Sequence, residues 1–259
     1  MIPAVPIEYV KLDDGYQEQR PTAPLRRFVE CYWRRPADSM SRSHSVTPDG
    51  CVDILFSSGK NSPGSLDLVG LMTQPRTVRI SPGQEYFGVR FRPGMATEFV
   101  PDAAHVANQI VPLAEFWGSA AHSLAGRLAA CPSFKAKSEV MNEVLRPVSR
   151  AERGLHAIEQ LAAIPRSLDA LASANGLSTR QLRRVCGERA GVPPKFLARI
   201  LRFRKAIERI RSMCGIHPDW ARFALEYGYF DQAHMIREFR EFSGFTPGRY
   251  LQYAGCGSP

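Results

Sequence analysis

The apolar positions of the chain follow two regimes. Upstream of about residue 150, short apolar runs bounded by Gly, Pro and Ser predict strands: CVDILF at 51–56, TVRI at 77–80 and YFGVRF at 86–91. Apolar residues at three- and four-residue spacing predict helices over PLRRFVECYW (24–33), DAAHVANQIVPLAEFWG (102–118) and SAAHSLAGRLAA (119–130), and again around SEVMNEVL (138–145). Downstream, every periodic segment reads as a helix and none alternates as a strand does. The expected fold class is an α+β N-terminal domain followed by an all-α domain. The break falls in LRPVSRAERG (145–154), where a proline and a polar, charged stretch separate the halves. This gives domains at 1–150 and 151–259, as a chain of 259 residues suggests at roughly 150 residues per domain.

The second half contains an internal repeat. At an offset of 53, GLSTRQLRRVCGERAGVPPKFL aligns with GYFDQAHMIREFREFSGFTPGRYL: Leu182 meets Met235, Arg184 meets Arg237, Cys186 meets Phe239, Gly191 meets Gly244 and Pro194 meets Pro247. Only the turn differs, by one residue. Each copy follows a short amphipathic helix, SLDALASANG or DWARFALEYG, that ends at Gly176 or Gly228, a residue type that tolerates positive φ at a helix C-terminus. Each then restarts at an N-cap candidate, Ser178 or Asp231. Helix, glycine turn and helix, twice over, describe two helix-turn-helix units at about 167–191 and 219–244. Between them PPKFLARILRFRKAIERIRS reads as a linker helix, primed by prolines and carrying Phe196, Ile200, Phe203 and Ile207 at core spacing.

Charge sharpens this reading. The net charge is +9, and residues 166–211 alone hold 12 basic and 3 acidic residues, the footprint of a polyanion-binding surface. At about 100° per residue, Leu182, Val185 and Cys186 share the face that packs on Leu168, Leu171 and Ala172, while Arg180, Arg183 and Arg184 share the other with no carboxylate assigned to them. In a helix-turn-helix that outward face enters the major groove, where an arginine fork matches guanine N7 and O6. In the second unit Gln232, Ala233, Ile236, Arg237 and Arg240 face outward or sit at the N-terminal tip. Gln232 suits an adenine edge, Ala233 or Ile236 a thymine methyl, and Arg237 and Arg240 phosphates. His234 is read as solvated or packed, and Tyr227, Tyr229 and Phe230 as core aromatics closing the turn.

These residues carry a family resemblance. The order LDALASANGLSTRQLRRVCGERAGVPPKFLARILRFRKAIERI, followed by GYFDQAHMIREFREFSGFTPGRY, resembles the paired DNA-binding module of AraC/XylS-family transcription regulators over about residues 153–253. The resemblance implies seven helices, with a rigid linker helix holding two recognition helices in successive major-groove segments. By position it puts base contacts at Arg180, Arg183 and Arg184, and at Gln232, Ala233 and Arg237. Cys186 stands where the family usually has phenylalanine, and Trp220 and Phe223 replace smaller aliphatics. The implied partner is double-stranded DNA, with RNA polymerase, a small-molecule effector and a second copy of the chain as further candidates. HSVTPDGCVDILF, LVGLMTQP and GVRFRPG are similar to an uncharacterised N-terminal domain recurrent in the same family, expected to sense a signal or mediate dimerisation.

Other chemistries are weaker. Arg90 and Arg92 alternate with Val89 and Phe91 on a strand and so share a face. If that face lines a cavity they could hold an anionic effector; if it meets water they are edge charges. His44, Asp49, Cys51 and Asp53 invite a metal or catalytic reading, but PDG is a turn signal and their spacing fits no ligand pattern. The six cysteines, Cys31, Cys51, Cys131, Cys186, Cys214 and Cys256, form no CxxC pair, which points to reduced thiols over a zinc knuckle. No metal, cofactor or enzymatic activity is expected. The competing reading is an alkyl-transfer enzyme anchored to DNA by the same module, which needs an activated cysteine with a proton partner. With no apolar run near the roughly 18 residues of a membrane span and no signal-peptide layout at the start, a cytoplasmic protein is expected.

Overall fold

The computed structural model describes residues 15–38, 40, 42–59, 62–146, 152–163, 167–213 and 218–253. Its first half is a strand-rich sheet domain and its second half is helical. Eight described strands, β1 (Gln17–Gln19), β2 (Val29–Arg35), β3 (Arg42–Val46), β4 (Val52–Gly59), β5 (Ser62–Val69), β6 (Arg76–Ile80), β7 (Gln84–Phe91) and β8 (Ile110–Pro112), form two sheets. The larger has the order β1-β2-β7-β4-β5-β8, with every pair antiparallel, and β3 pairs with β6 in the smaller. Helices α1 (Ala114–Trp117), α2 (Ser119–Ala129) and α3 (Phe134–Val144) complete this half.

Register fixes which side chains share a face of the large sheet. Ile54 opposes Val89 and Phe56 opposes Phe87, so their apolar side chains form one buried layer with Tyr32. Leu124 and Leu128 of α2 and Met141 of α3 join the same core. Tyr32 stacks on Phe87 at 6.3 Å, and Phe134 of α3 meets Phe87 edge-on at 6.0 Å. The opposite face carries Cys31, Arg90 and Asp53 in one row across β2, β7 and β4.

Two expected helices are different here. PLRRFVECYW is a 3₁₀ turn at Ala23–Leu25 followed by β2, an inner strand in which Val29, Cys31 and Tyr32 are all buried. A strand covered on both faces loses its alternation, and its apolar run then mimics helical spacing. DAAHVANQIVPLAEFWG divides into a 3₁₀ turn at Ala103–Val106, strand β8 and the short α1.

Seven helices follow among the described residues: α4 (Glu152–Leu161), α5 (Leu168–Ala174), α6 (Thr179–Ala190), α7 (Pro194–Arg211), α8 (Trp220–Glu226), α9 (Gln232–Ser243) and α10 (Pro247–Tyr253). The expected domain break near 150 falls on residues outside the described set. One continuous apolar cluster links the two halves, from Val29 and Phe91 through Ile158 and Leu201 to Phe239.

Candidate nucleic-acid interface

The first helix pair is built by its caps. Ser167 Oγ accepts from the amides of Asp169 and Ala170 to open α5. After α5, Gly176 turns the chain at φ +66° and the Leu177 amide donates to the Ala172 carbonyl at 2.9 Å. Ser178 then opens α6 through a capping box: its Oγ accepts from the Gln181 amide at 3.2 Å while Gln181 Oε1 accepts from the Ser178 amide at 2.7 Å. Leu182 and Cys186 point inward and are fully buried, and Val185 leans on Gly154 of α4. That rotation leaves Arg180, Arg183 and Arg184 exposed on one side of α6. Arg184 has a carboxylate neighbour that counting along the chain did not assign, Glu188 one turn on at 3.4 Å. Both groups are exposed, and such a pair holds its arginine by only about 0.5 kcal/mol, little against a competing anion.

The second unit repeats the plan. Asp219 caps α8, Gly228 turns at φ +77°, and the Tyr229 amide donates to the Ala224 carbonyl at 2.9 Å. Asp231 caps α9 by accepting from the His234 amide at 2.6 Å. Met235, Phe239 and Phe242 are buried, Gln232, Ala233, Arg237 and Arg240 are exposed, and Ile236 is half-buried between the two faces. His234 is packed: Nδ1 accepts from the Phe230 amide at 3.2 Å, and Nε2 lies 3.6 Å from Glu238. The turn aromatics divide. Tyr229 is buried and Tyr227 stacks on Phe223 at 4.4 Å, but Phe230, expected in the core, is 84% exposed.

The basic stripe is only partly an outer surface. Arg199 and Arg202 of α7 both reach Glu238 of α9, at 3.0 and 2.7 Å, and that carboxylate is 1% exposed. Arg199 also pairs with Glu241, and Arg202 donates to the Gly228 carbonyl at 3.3 Å and lies over the Tyr229 ring. Two more arginines face the sheet domain. Arg189 of α6 pairs with Glu98, itself 3% exposed, and donates to Thr97 Oγ1 at 3.1 Å. Arg204 of α7 pairs with Glu30 and lies 3.2 Å from Cys51 Sγ. These four guanidiniums are engaged within the molecule, whereas Arg180, Arg183 and Arg184 of α6 are exposed.

In the sheet domain, Arg90 and Arg92 have separate partners. Arg90 Nε lies 3.4 Å from Asp53 Oδ1 and 3.6 Å from Asp49 Oδ2, and these carboxylates answer its charge. Arg92 lies just past β7, exposed, with Nε donating to the Arg26 carbonyl at 3.0 Å. A cleft of about 440 Å³ is lined by Thr73, Gln74, Pro75, Phe196 and Glu241, and neither arginine contributes to it. PDG is a turn: Asp49 Oδ1 accepts from the Cys51 amide at 2.9 Å, with Gly50 at φ +83°. Burial pushes the Asp53 carboxyl up to about 6 against the pull of Arg90. Burial also pushes the Cys51 thiol well above its usual range and Cys31 up to about 12, so neither is an activated thiolate. His44, on β3, is lowered to about 4 by burial and by Arg35 and Arg211. Among the described residues no three His, Cys, Asp or Glu side chains group as metal ligands, and no helix is long and apolar enough to cross a membrane. Cys214 and Cys256 lie outside the described residues.

A family match agrees with the helix-turn-helix geometry. Residues 171–253 match a family described as Helix-turn-helix domain, and residues 17–112 match a Domain of unknown function (DUF6597). The second half is thus a helix-turn-helix DNA-binding domain. It is of the AraC type, the DNA-binding part of transcription regulators, set behind an N-terminal domain without an assigned function. A search of curated proteins finds no match. Among solved structures, ToxT from Vibrio cholerae O395 is similar at 10% identity, covering 92% of this chain and 98% of that one, with a TM-score of 0.43. Unsaturated fatty acid bound ToxT from Vibrio cholerae strain SCE256 aligns at 11% identity over 88% and 96% of the two chains, with a TM-score of 0.43. The AraC-like transcriptional activator CuxR aligns at 11% identity over 76% and 88%, with a TM-score of 0.25.

Proposed function

We propose that the protein is a sequence-specific transcription regulator that inserts α6 and α9 into successive major-groove segments of duplex DNA. The observation that carries this reading is the outward face of α6. Three arginines stand there in solvent on a helix whose opposite face is locked into a core, beside four arginines of the same stretch that are engaged internally. Arg180, Arg183 and Arg184 read guanine edges as two-pronged donors, while Gln232, Ala233 and Ile236 meet an adenine edge and thymine methyls. Arg237 and Arg240 take phosphates and set the register.

The sheet domain modulates this activity through its hold on the first unit. Glu98 on Arg189 and Glu30 on Arg204 couple any shift of the sheet to α6 and α7. A ligand altering those contacts would change how the two recognition helices are presented, by as much as its affinity differs between the two arrangements. The test is selection from random duplexes with the full chain. The expected site has two preferred segments about 10 base pairs apart, one G-rich, and it loses preference at single positions in Arg180→Ala or Arg184→Ala. Selection of a single short segment, or an unchanged profile in both variants, contradicts the reading.

A further inference from the structure

The two turns are the same up to one residue. In each, a glycine at positive φ is followed by a residue whose amide closes back on an alanine carbonyl at 2.9 Å: Leu177 on Ala172, and Tyr229 on Ala224. In the first unit the N-cap Ser178 comes next. In the second, Phe230 stands between Tyr229 and the N-cap Asp231, and it is the residue by which the repeat is longer. Its neighbour Tyr229 already fills the core position, at 3% exposed. The inserted ring has no packing task and projects into solvent beside Gln232 and Ala233.

Its backbone is nonetheless held. The Phe230 amide donates to His234 Nδ1, whose Nε2 faces Glu238, and Glu238 is clamped by Arg199 and Arg202 of the linker helix. An exposed apolar ring whose backbone is held at the N-terminal tip of a recognition helix, with Arg237 and Arg240 about two and three turns further along that helix, suits one feature of the major groove. That feature is the thymine 5-methyl, which apolar side chains including phenylalanine contact. Resting on the groove-reading function above, we propose that Phe230 is a specificity-determining residue of the second unit, laid against a thymine methyl at the edge of its segment.

The experiment uses the full chain and a duplex selected by the wild type, with each thymine replaced singly by deoxyuridine, which removes only the methyl. At one position the replacement weakens the wild type about fourfold, the value of one buried methyl group. Phe230→Ala loses that sensitivity and keeps the wild-type slope of log affinity against log salt, since no phosphate contact is removed. Phe230→Leu keeps part of it. Thermal melting checks that both variants fold, as expected for an exposed side chain. The proposal is overturned if Phe230→Ala retains the uracil profile of the wild type, or if it weakens every duplex equally, the signature of a backbone or folding role. If the wild type selects no site, or Arg180→Ala and Arg184→Ala leave its preference unchanged, the groove reading itself fails. If those two variants relax selection while Phe230→Ala retains the uracil profile, only the role of Phe230 fails.

Discussion

The two helix-turn-helix units share a turn and a capping plan but are fastened to different things. The first is clasped by the sheet domain: Arg189 of α6 enters a pair with Glu98, and its C-cap Gly191 abuts the Ala104 carbonyl so closely that a Cβ would collide with it. The second is bolted to the linker helix through Glu238, and its C-cap Gly244 has open space where a Cβ would stand. Both glycines adopt the left-handed conformation, φ +72° and +78°, so the difference lies in the neighbours and not in the backbone. The two units share a turn geometry but not an anchor: the first meets the sheet domain through Arg189 and Gly191, and the second is tied to the linker helix through Glu238.

Removing the bolt should have the largest effect. Glu238→Ala leaves Arg202 without its carboxylate and Arg199 with only the more exposed Glu241, and loss of one partner of a buried pair costs about 3–5 kcal/mol. Chemical denaturation followed by hydrogen exchange should locate the loss in α8 to α10, with α5 and α6 keeping their protection. Equal loss in both units would break the claim that they are anchored separately.

The glycine pair sharpens the same comparison. Gly191→Ala combines left-handed strain with a backbone collision at Ala104 and should cost about 2–4 kcal/mol, whereas Gly244→Ala meets only the strain, about 1 kcal/mol. Equal melting temperatures for the two variants would show that the sheet domain does not press on the first unit.

On DNA the contrast becomes one of chemistry. Arg180→Ala or Arg184→Ala should cost about 1–3 kcal/mol on the selected site and relax one base position. Arg237→Ala should weaken all sequences evenly and reduce the salt slope by about one. A base-specific loss from Arg237 would reverse the roles assigned to the two helices.

The smallest effect concerns acid. His44 is lowered to about 4 in the folded protein by burial and by Arg35 and Arg211, below its ordinary value near 6.5. Between those values the unfolded chain binds the extra proton, so the contribution is complete above about pH 6.5 and is lost as pH falls towards 4. Melting of His44→Gln, compared with wild type from pH 7 to 4.5, should fall less steeply, by about 1 kcal/mol once partial exposure is allowed for. Parallel curves would remove His44 from the account of acid sensitivity.

The helical half was legible because its signals are local. The glycine turns, the caps at Ser178 and Asp231 and the inward set of Leu182, Cys186, Met235 and Phe239 each depend on residues within a few positions. What escaped was long-range. The stripe of 12 basic residues looked uniformly outward because Glu98, Glu30 and Glu238, which capture four of its arginines, lie 36 to 174 positions away. Strand β2 was hidden because it is paired along both edges and a register shift between Val29 and Cys31 leaves Val29, Cys31 and Tyr32 all buried, so no simple alternation survives in its own sequence. The exposure of Phe230 had a trace in the sequence: the repeat was one residue longer at that turn, and an inserted residue has no core place to inherit.

Helix α7 runs 18 residues, about 27 Å at 1.5 Å per residue, with Arg204 gripping the sheet domain and Arg199 and Arg202 gripping α9. If α6 and α9 read one duplex as proposed, a ruler stiffened from both sides resists adjustment to segments that are slightly out of step. The compliance would then have to come from the duplex, so sequences that bend cheaply between the two contacts, although untouched by any side chain, would be bound in preference to stiff ones.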